Sequence, residues 1–280
     1  MRAAPAAPTP WSAIAVPLAF VRVSFLSMLA YRLRFYTGIV TYLIYVAVYT
    51  SIWKAVYHDP ASRGALAEFG SFDTLFTYFA IGWIARSFTF NNVDRDLAEL
   101  VETGHVASRV AKPVSLHVQM ISAALGQTLF RLTCFTPLIA VALVLIWGLR
   151  PPASPEAFLL FLLSLGLGIV ILAEVNFLVG LLAFKTKSIQ GITHAKQTMV
   201  EILSGLLVPL SYFPDALERA ALWTPFPTLT SIPNRLYLGL LTGAAAAEAL
   251  AFSAAWCVGL VVAAHLAGKA VSRSLTIQGG

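Results

Sequence analysis

The residues best placed for chemistry are polar side chains inside long apolar segments. Glu174 and Asn176 lie within the apolar run 157–184. At a rise of about 1.5 Å per residue, Glu174 lies about 16 Å from the charged end of that run, close to the middle of a bilayer. Because a charge there is costly, we expect the carboxylate to be protonated, paired with Arg86 or Arg131 of another helix, or directed into a cavity.

Arg86, Arg131 and Glu201 are further charged residues within apolar segments or at their edges. All three lie nearer the end of a segment than Glu174 does, and long side chains in that position extend toward the polar interface. We therefore expect a structural role for these three residues. For Glu174 the sequence leaves three roles open: a structural ion pair or hydrogen bond between helices, contact with a transported substrate, and proton coupling.

The sequence contains no catalytic or metal-binding motif. Its five histidines form no pair at metal-ligand spacing, and Cys134 and Cys257 lie singly in apolar segments. The HExxH zinc motif, the GxSxG nucleophile motif and the GxxxxGK[ST] phosphate-binding loop are all missing. We therefore predict no catalytic residue, metal or cofactor in this chain, and no ATP hydrolysis by it.

The composition is that of a protein with several membrane spans. Hydrophobic residues make up 58% and charged residues 11%, and the mean hydropathy is +0.78. The formal net charge is +6, which in so apolar a chain indicates positive charge retained on the cytoplasmic side rather than nucleic-acid binding. The predicted fold class is an all-α integral membrane protein.

The apolar segments predict six transmembrane helices, each near the length of about 20 residues that a bilayer requires. Their expected ranges are 35–57, 74–90, 130–148, 157–184, 198–213 and 244–267. We expect a disordered tail at 1–10, an interfacial amphipathic helix at 11–34 and a cytosolic tail at 268–280. Pro137 should kink the third span, and the lysines and arginines near span ends predict that both termini are cytoplasmic.

The longest charged interruption, 91–114, predicts a short helix. Its apolar residues recur at a helical spacing and share one face: Val93, Leu97, Leu100 and Val101. Gly104 is a natural stop. Two interpretations remain open, a solvated connector between spans and a docking element for a cytosolic partner.

A proline-rich stretch, 209–233, follows the fifth predicted span. The segments 214–223 and 234–242 are too short to cross a bilayer. Irregular backbone at membrane depth is tolerated only where it is buried in protein or lines a wet cavity. We therefore predict a re-entrant segment at 214–242, with two short helices that enter from the outer face.

Two motifs carry a resemblance to a known family. GHVASRVAKPVS, at 104–115, resembles a G-x-(V/I)…(L/V)-x-(K/R)-P segment, and the run 204–239 is similar to G-x-x-x-P-x-x-x-F-P…P-F…P…Y-x-G. In the second motif the matching residues are Gly205, Pro209, Phe213, Pro214, Pro225, Phe226, Pro233, Tyr237 and Gly239. With the six predicted spans, the chain resembles the membrane subunit of a type-2 ABC exporter of the multidrug type over nearly its whole length.

The resemblance implies a division of labour. The segment 94–104 would be a coupling helix that inserts Leu97, Leu100 and Val101 into a groove on a separate ATP-binding subunit. Its contact residues would be Asp94, Leu97, Glu99, Leu100, Val101, Glu102 and Gly104. An outer gate would consist of Pro209, Phe213, Pro214, Pro225, Phe226 and Pro233.

The implied assembly lies in a bacterial plasma membrane. Its partners would be two ATP-binding cassette subunits that hold ATP and magnesium, a second permease chain, identical or related, and membrane lipid. The cargo would be hydrophobic or amphipathic, such as a drug, a lipid or a peptide-like molecule.

The residues also allow a proton-coupled secondary transporter in which Glu174 carries the proton. The chain shows no matched inverted halves with paired broken helices, which disfavours that class. A membrane enzyme acting on lipid lacks any acid, base or metal cluster.

Overall fold

In the computed structural model the residues described are 10–30, 33–60, 64, 66–186 and 188–278, with side chains for 14–30, 38–60, 64, 66–186 and 188–273. Every regular element within these ranges is helical, so the all-α prediction is confirmed for them. The predicted tail 1–10 lies outside the described residues except for Pro10. The predicted tail 268–280 continues the last helix as far as Gln278.

The α-helices are numbered in chain order. They are α1 (Pro10–Ala30), α2 (Leu33–His58), α3 (Phe72–Thr89), α4 (Val93–Glu102), α5 (Val106–Val110), α6 (Leu116–Phe130), α7 (Thr136–Trp147), α8 (Pro155–Gly180), α9 (Gln190–Leu203), α10 (Asp215–Leu222), α11 (Ser231–Tyr237) and α12 (Gly243–Gln278). Helix α8 is central, since it packs against α3, α4, α6, α11 and α12.

Four helical stretches in the described residues are long and apolar enough to cross a membrane. They are Gly38–His58, Leu116–Trp147, Pro155–Phe184 and Gly243–Arg273. Helix α3 occupies the position of the second predicted span, and α9 overlaps only the start of the fifth. Neither helix is both long enough and apolar enough to be one of the four candidate spans. An integral membrane protein is therefore supported, while the count of six spans is not confirmed.

The third predicted span begins earlier than expected. Its helix runs from α6 through a π-helical turn, Arg131–Phe135, into α7. Pro137 lies in the first turn of α7, where its missing N–H costs least, and the irregular turn lies just before it. Leu125 and Leu129 of α6 are already exposed outward, so the apolar outer surface starts before the predicted boundary at 130.

The fifth predicted span, 198–213, is not one helix. Helix α9 ends at Leu203, and Gly205 adopts φ +80°. A Cβ atom on Gly205 would lie 2.7 Å from the Tyr78 hydroxyl oxygen, and that hydroxyl donates a hydrogen bond to the Gly205 carbonyl at 2.9 Å. The tight turn against α3 therefore stops the helix before Pro209.

The N-terminal segment also differs from the prediction of one amphipathic helix over 11–34. Helix α1 ends at Ala30 and α2 begins at Leu33. Apolar side chains are exposed on α1, since Ile14 and Leu18 are both more than 60% exposed. Its other side packs along α6, where the Ser24 hydroxyl donates to the Ala123 carbonyl at 2.8 Å.

The proline-rich segment forms short helices packed on the protein. Helix α10 lies within the predicted 214–223, but α11 begins and ends earlier than the predicted 234–242. Gly239, at φ +71°, follows its last turn. The Ser231 N–H donates to the Ser204 carbonyl, and the Ala153 N–H donates to the Tyr237 carbonyl, each at 2.9 Å. Protein groups therefore satisfy part of this irregular backbone, as membrane depth would require.

The close contact between α1 and α6 makes a testable prediction. A Cβ atom on Gly126 would lie 2.4 Å from the Val21 carbonyl oxygen, whereas one on Gly166 of α8 would meet nothing within 4 Å. We expect Gly126→Ala to lower stability by about 1–3 kcal/mol through overpacking. Gly166→Ala should leave stability unchanged or raise it by up to about 1 kcal/mol. Thermal unfolding in detergent measures both, and equal unfolding temperatures for the two variants would contradict the packing described.

Candidate functional site

The charged helix α4 has an inward apolar face and an outward polar face. Val93 is 1% exposed and Leu97 is fully buried, in a core with Phe177 and Leu181 of the α8 segment. The contact is close, because a Cβ atom on Gly180 would lie 3.1 Å from the Leu97 Cβ. The α4 helix thus packs onto its own chain.

This packing corrects the predicted contact with a partner. Leu97 cannot insert into a groove on another subunit, since its side chain is enclosed by its own chain. Leu100 and Val101 are half-buried against the same core. The periodicity identified the apolar face correctly, but that face is covered by α8. The exposed residues of the helix are Arg95, Glu99 and Glu102, followed by Gly104 at φ +73°.

Asp94 is a buried anchor rather than a surface contact. Only 3% of the residue is exposed, and its Oδ2 accepts a hydrogen bond from Lys196 Nζ of α9 at 2.7 Å. The same ammonium donates to Asn176 Oδ1 of α8, and Asn176 Nδ2 donates to Asn91 Oδ1 at 2.9 Å. We call Asn91, Asp94, Asn176 and Lys196 the α4 anchor. It joins the start of α4 to α8 and α9.

Charge balance explains why the α4 anchor holds together. Burial lowers the pKa of Lys196, and the hydrogen bond to Asp94 opposes that change. A buried carboxylate without a cation is costly, so each partner supports the charged form of the other. Sequence analysis missed Lys196 because a lysine beside a predicted span end usually extends to water.

Glu174 pairs with a histidine and not with either predicted arginine. The residue is 2% exposed, and its Oε2 lies 2.7 Å from His117 Nε2 of α6. The Phe177 ring packs edge-on against the imidazole at 5.0 Å. The signal for His117 was the Pro113–Val114–Ser115 sequence, because Ser115 caps α6 and brings His117 into its first turn.

The other intramembrane candidates come together around Phe90. Arg86 forms an ion pair with Glu201, with its Nε 3.1 Å from the Glu201 Oε1. The guanidinium groups of Arg86 and Arg131 lie 4.9 and 5.2 Å from the centre of the Phe90 ring. Gln197 donates a further bond to Glu201 at 2.7 Å. Arg86 and Glu201 thus bond each other across α3 and α9.

Asp96 borders a cavity of about 430 Å³ between α1, α4 and α6. Burial raises its pKa to about 6, and the neighbouring carboxylates Glu99 and Asp94 act in the same direction. A hydrogen bond from Gln127 Nε2, at 3.0 Å, partly opposes this shift.

A second cavity, of about 330 Å³, lies on the outward side of α4. One wall consists of Arg95, Glu99 and Glu102, and the other of Ser188, Gln190 and His194 near the start of α9. We call this cavity the outer α4 groove. Its walls are polar and charged, so it suits a polar protein surface.

The predicted gate residues lie in the short elements after α9. Pro209, Pro225 and Pro233 are buried, Phe213 and Phe226 are half-buried, and Pro214 is exposed. Helix α10 packs against the 3-10 turns Leu210–Tyr212 and Phe226–Leu229, which bring these residues near one another. Among the described residues, no group of three histidines, cysteines or carboxylates could hold a metal ion.

Comparison with models of known protein families gives a match over most of the chain. The sequence model of a family described as ABC-2 family transporter protein matches residues 61–279. No curated protein matches the chain. The matched range includes α3 to α12, and so contains the α4 anchor and the outer α4 groove.

Loss of the cation in the α4 anchor should destabilise the protein. We expect Lys196→Ala to cost about 3 kcal/mol, because it leaves the Asp94 carboxylate buried and unpaired. Adding Asp94→Asn should recover part of that loss, since the unpaired charge is gone. Lys185→Ala, at an exposed lysine, is the matched control. Thermal unfolding measures all three, and a Lys196→Ala variant as stable as this control would show that the anchor contributes little.

The raised pKa of Asp96 predicts that the stability of the protein depends on pH. The pKa of Asp96 in the folded protein, about 6, lies above the ordinary value of an aspartate, 3.8. Its contribution to stability is therefore full below about pH 4 and is lost as the pH rises through 6. Asp96→Asn keeps an acceptor for Gln127 without the charge. The free energy of unfolding of Asp96→Asn, taken relative to that of the wild type, should rise by about 1 kcal/mol between about pH 5 and pH 7. Parallel unfolding curves of the two proteins across this pH range would contradict the assignment.

Proposed function

The chain belongs to the ABC-2 transporter family, and on that premise we propose that it is the transmembrane permease subunit of an ATP-driven exporter. A second permease chain, identical or related, completes the substrate pathway. Two separate ATP-binding subunits hold ATP and magnesium, since this sequence has no phosphate-binding loop. The protein lies in a bacterial plasma membrane with both termini in the cytosol, as the positive charges near the span ends favour.

The attachment of α4 to the membrane helices carries this proposal. A coupling element must transmit displacement and not merely bind. The close approach of α4 to Gly180 and the ion pair between Asp94 and Lys196 tie this helix to α8 and α9. A displacement of α4 is therefore transmitted directly to α8 and α9, without passing through a flexible loop. Buried ion pairs resist separation, which favours movement of the three helices as a unit.

The ATP-binding subunit binds the polar side of α4. Arg95, Glu99 and Glu102 are exposed there, beside the outer α4 groove. Charged pairs across such a surface determine partner choice and register. The partner should therefore present basic residues toward Glu99 and Glu102, in place of the apolar groove that the helical periodicity indicated.

The cargo wall of the permease is assigned to an aromatic surface of α2 and α3. Tyr45 stacks on Trp83 with ring centres 5.4 Å apart, and Tyr49 contacts the same ring at 5.6 Å. Tyr45 is 49% exposed, and the Arg86–Glu201 pair lies one turn from Trp83. An apolar ring surface beside a charged pair suits an amphipathic cargo. The proline-rich elements after α9 then form the outer gate.

A proton-coupled transporter is the alternative that the buried pair of Glu174 and His117 favours. A carboxyl group and an imidazole can each exchange a proton, and these two bond each other between α8 and α6. Family membership favours ATP as the energy source instead. In the exporter, the pair joins two spans and carries no transported proton.

Charge reversal on α4 tests the proposal. Glu99→Lys/Glu102→Lys should reduce co-purification with the ATP-binding subunit by at least about tenfold, because the two new lysines would repel the partner's basic residues. The membrane domain should still fold, since both side chains are exposed. ATPase activity of the reconstituted complex gives a second readout.

The control places the same charge change elsewhere. Glu156→Lys/Asp215→Lys alters two exposed carboxylates at the starts of α8 and α10 and should leave binding unchanged. Binding that survives reversal on α4, or that falls equally in the control, overturns the docking proposal. Transport driven by a proton gradient without ATP would overturn the exporter itself.

A further inference from the structure

A pocket of about 330 Å³ lies between the connection from α5 to α6 and the last turns of α12. Lys112 lines it on one side and Lys269 on the other, with His117 and His265 between them. Among the residues that the structure describes, no carboxylate lines this pocket. We call it the two-lysine pocket. Its volume is at the small end of the range for ligand sites, about 300–1,000 Å³.

The two-lysine pocket lies where two candidate spans reach their polar ends. Leu116–Trp147 starts at its wall and Gly243–Arg273 ends there. Val258, Val262 and Leu266 of α12 are 64%, 52% and 59% exposed, and their spacing of four residues places them along one side of the helix. Lys269 follows one turn later. The pocket therefore continues an outward apolar strip, at the level where lipid headgroups lie.

Neither lysine is neutralised within the described chain. No ion pair joins Lys112 or Lys269 to a carboxylate there. The Lys112 ammonium instead lies 5.5 Å from the centre of the Phe20 ring. Two lysines that line one pocket attract an anion, and basic pockets between spans on the cytoplasmic side bind acidic lipid headgroups.

We propose that the two-lysine pocket binds the phosphate-bearing headgroup of an anionic membrane phospholipid. Lys112 and Lys269 contact the phosphate from opposite walls. One acyl chain lies along Leu266, Val262 and Val258. A lipid fits better than a free phosphate, because the exposed apolar strip leads directly into the pocket and requires an apolar partner.

The bound lipid joins parts of the chain that are distant in sequence. It connects the segment after α4 and α5 to the end of α12, beside the His117 that bonds Glu174. The headgroup thus fastens the cytosolic side of α6 to α12. This site stands apart from the outer α4 groove and does not depend on the exporter proposal.

Lipid-dependent unfolding of the purified full chain tests the proposal. In neutral detergent, phosphatidylglycerol should raise the unfolding temperature, whereas phosphatidylcholine should not. Lys112→Ala/Lys269→Ala should weaken the phosphatidylglycerol response roughly thirtyfold in concentration, since each lysine near an anionic surface contributes a factor of about five. Lys54→Ala/Lys185→Ala, which removes two other exposed lysines, should respond like wild type.

Several outcomes would overturn the assignment. These are an equal response in the two double variants, stabilisation by phosphatidylcholine, or stabilisation by inorganic phosphate alone, which would indicate a free-anion site. Should the double variant fail to fold without lipid, Lys112→Gln and Lys269→Gln are tested singly, and each should weaken the response about fivefold. Native mass spectrometry of the wild type should retain phosphatidylglycerol in preference to phosphatidylcholine, and equal retention would also contradict the proposal.

Discussion

The close packing of α4 on α8 is the constraint on which the site depends. Gly180 permits it, since a Cβ atom there would lie 3.0 Å from the Asp94 Cα. At that separation Val93 and Leu97 are buried, and the Asp94 carboxylate is removed from water. The carboxylate then requires a cation, which Lys196 of α9 supplies at 2.7 Å. One backbone contact therefore determines which face of α4 remains available to a partner.

Polar pairs between helices extend this arrangement through the membrane domain. Asp94 and Lys196 join α4 to α9, Glu174 and His117 join α8 to α6, and Arg86 and Glu201 join α3 to α9. The first two pairs are almost fully buried and the third is partly buried, so separation of a pair leaves polar groups shielded from water without a partner. The helices around α8 therefore favour a few discrete arrangements and resist gradual deformation. Such behaviour suits a transporter that alternates between states.

The sequence predicted local features better than contacts. The spacing of Val93, Leu97, Leu100 and Val101 correctly indicated a helix with one apolar face, yet it could not indicate what covers that face. In α1 the apolar side chains of Ile14 and Leu18 are exposed, because α6 takes the opposite side of the helix. The end of α9 at Leu203 depends on Tyr78, 127 residues away from Gly205, which no local pattern records.

By itself the sequence determined the all-α membrane class, the short helix that ends before Gly104 and the resemblance to type-2 ABC permeases. These follow from composition, from hydrogen bonds within single helices and from the conformational freedom of glycine. Only the tertiary structure decided that Glu174 meets His117, that Asp94 meets Lys196 and that the outward face of α4 is polar. Such pairings depend on how helices distant in the chain pack together, and packing depends on side-chain volume and close backbone approach, which periodicity does not encode.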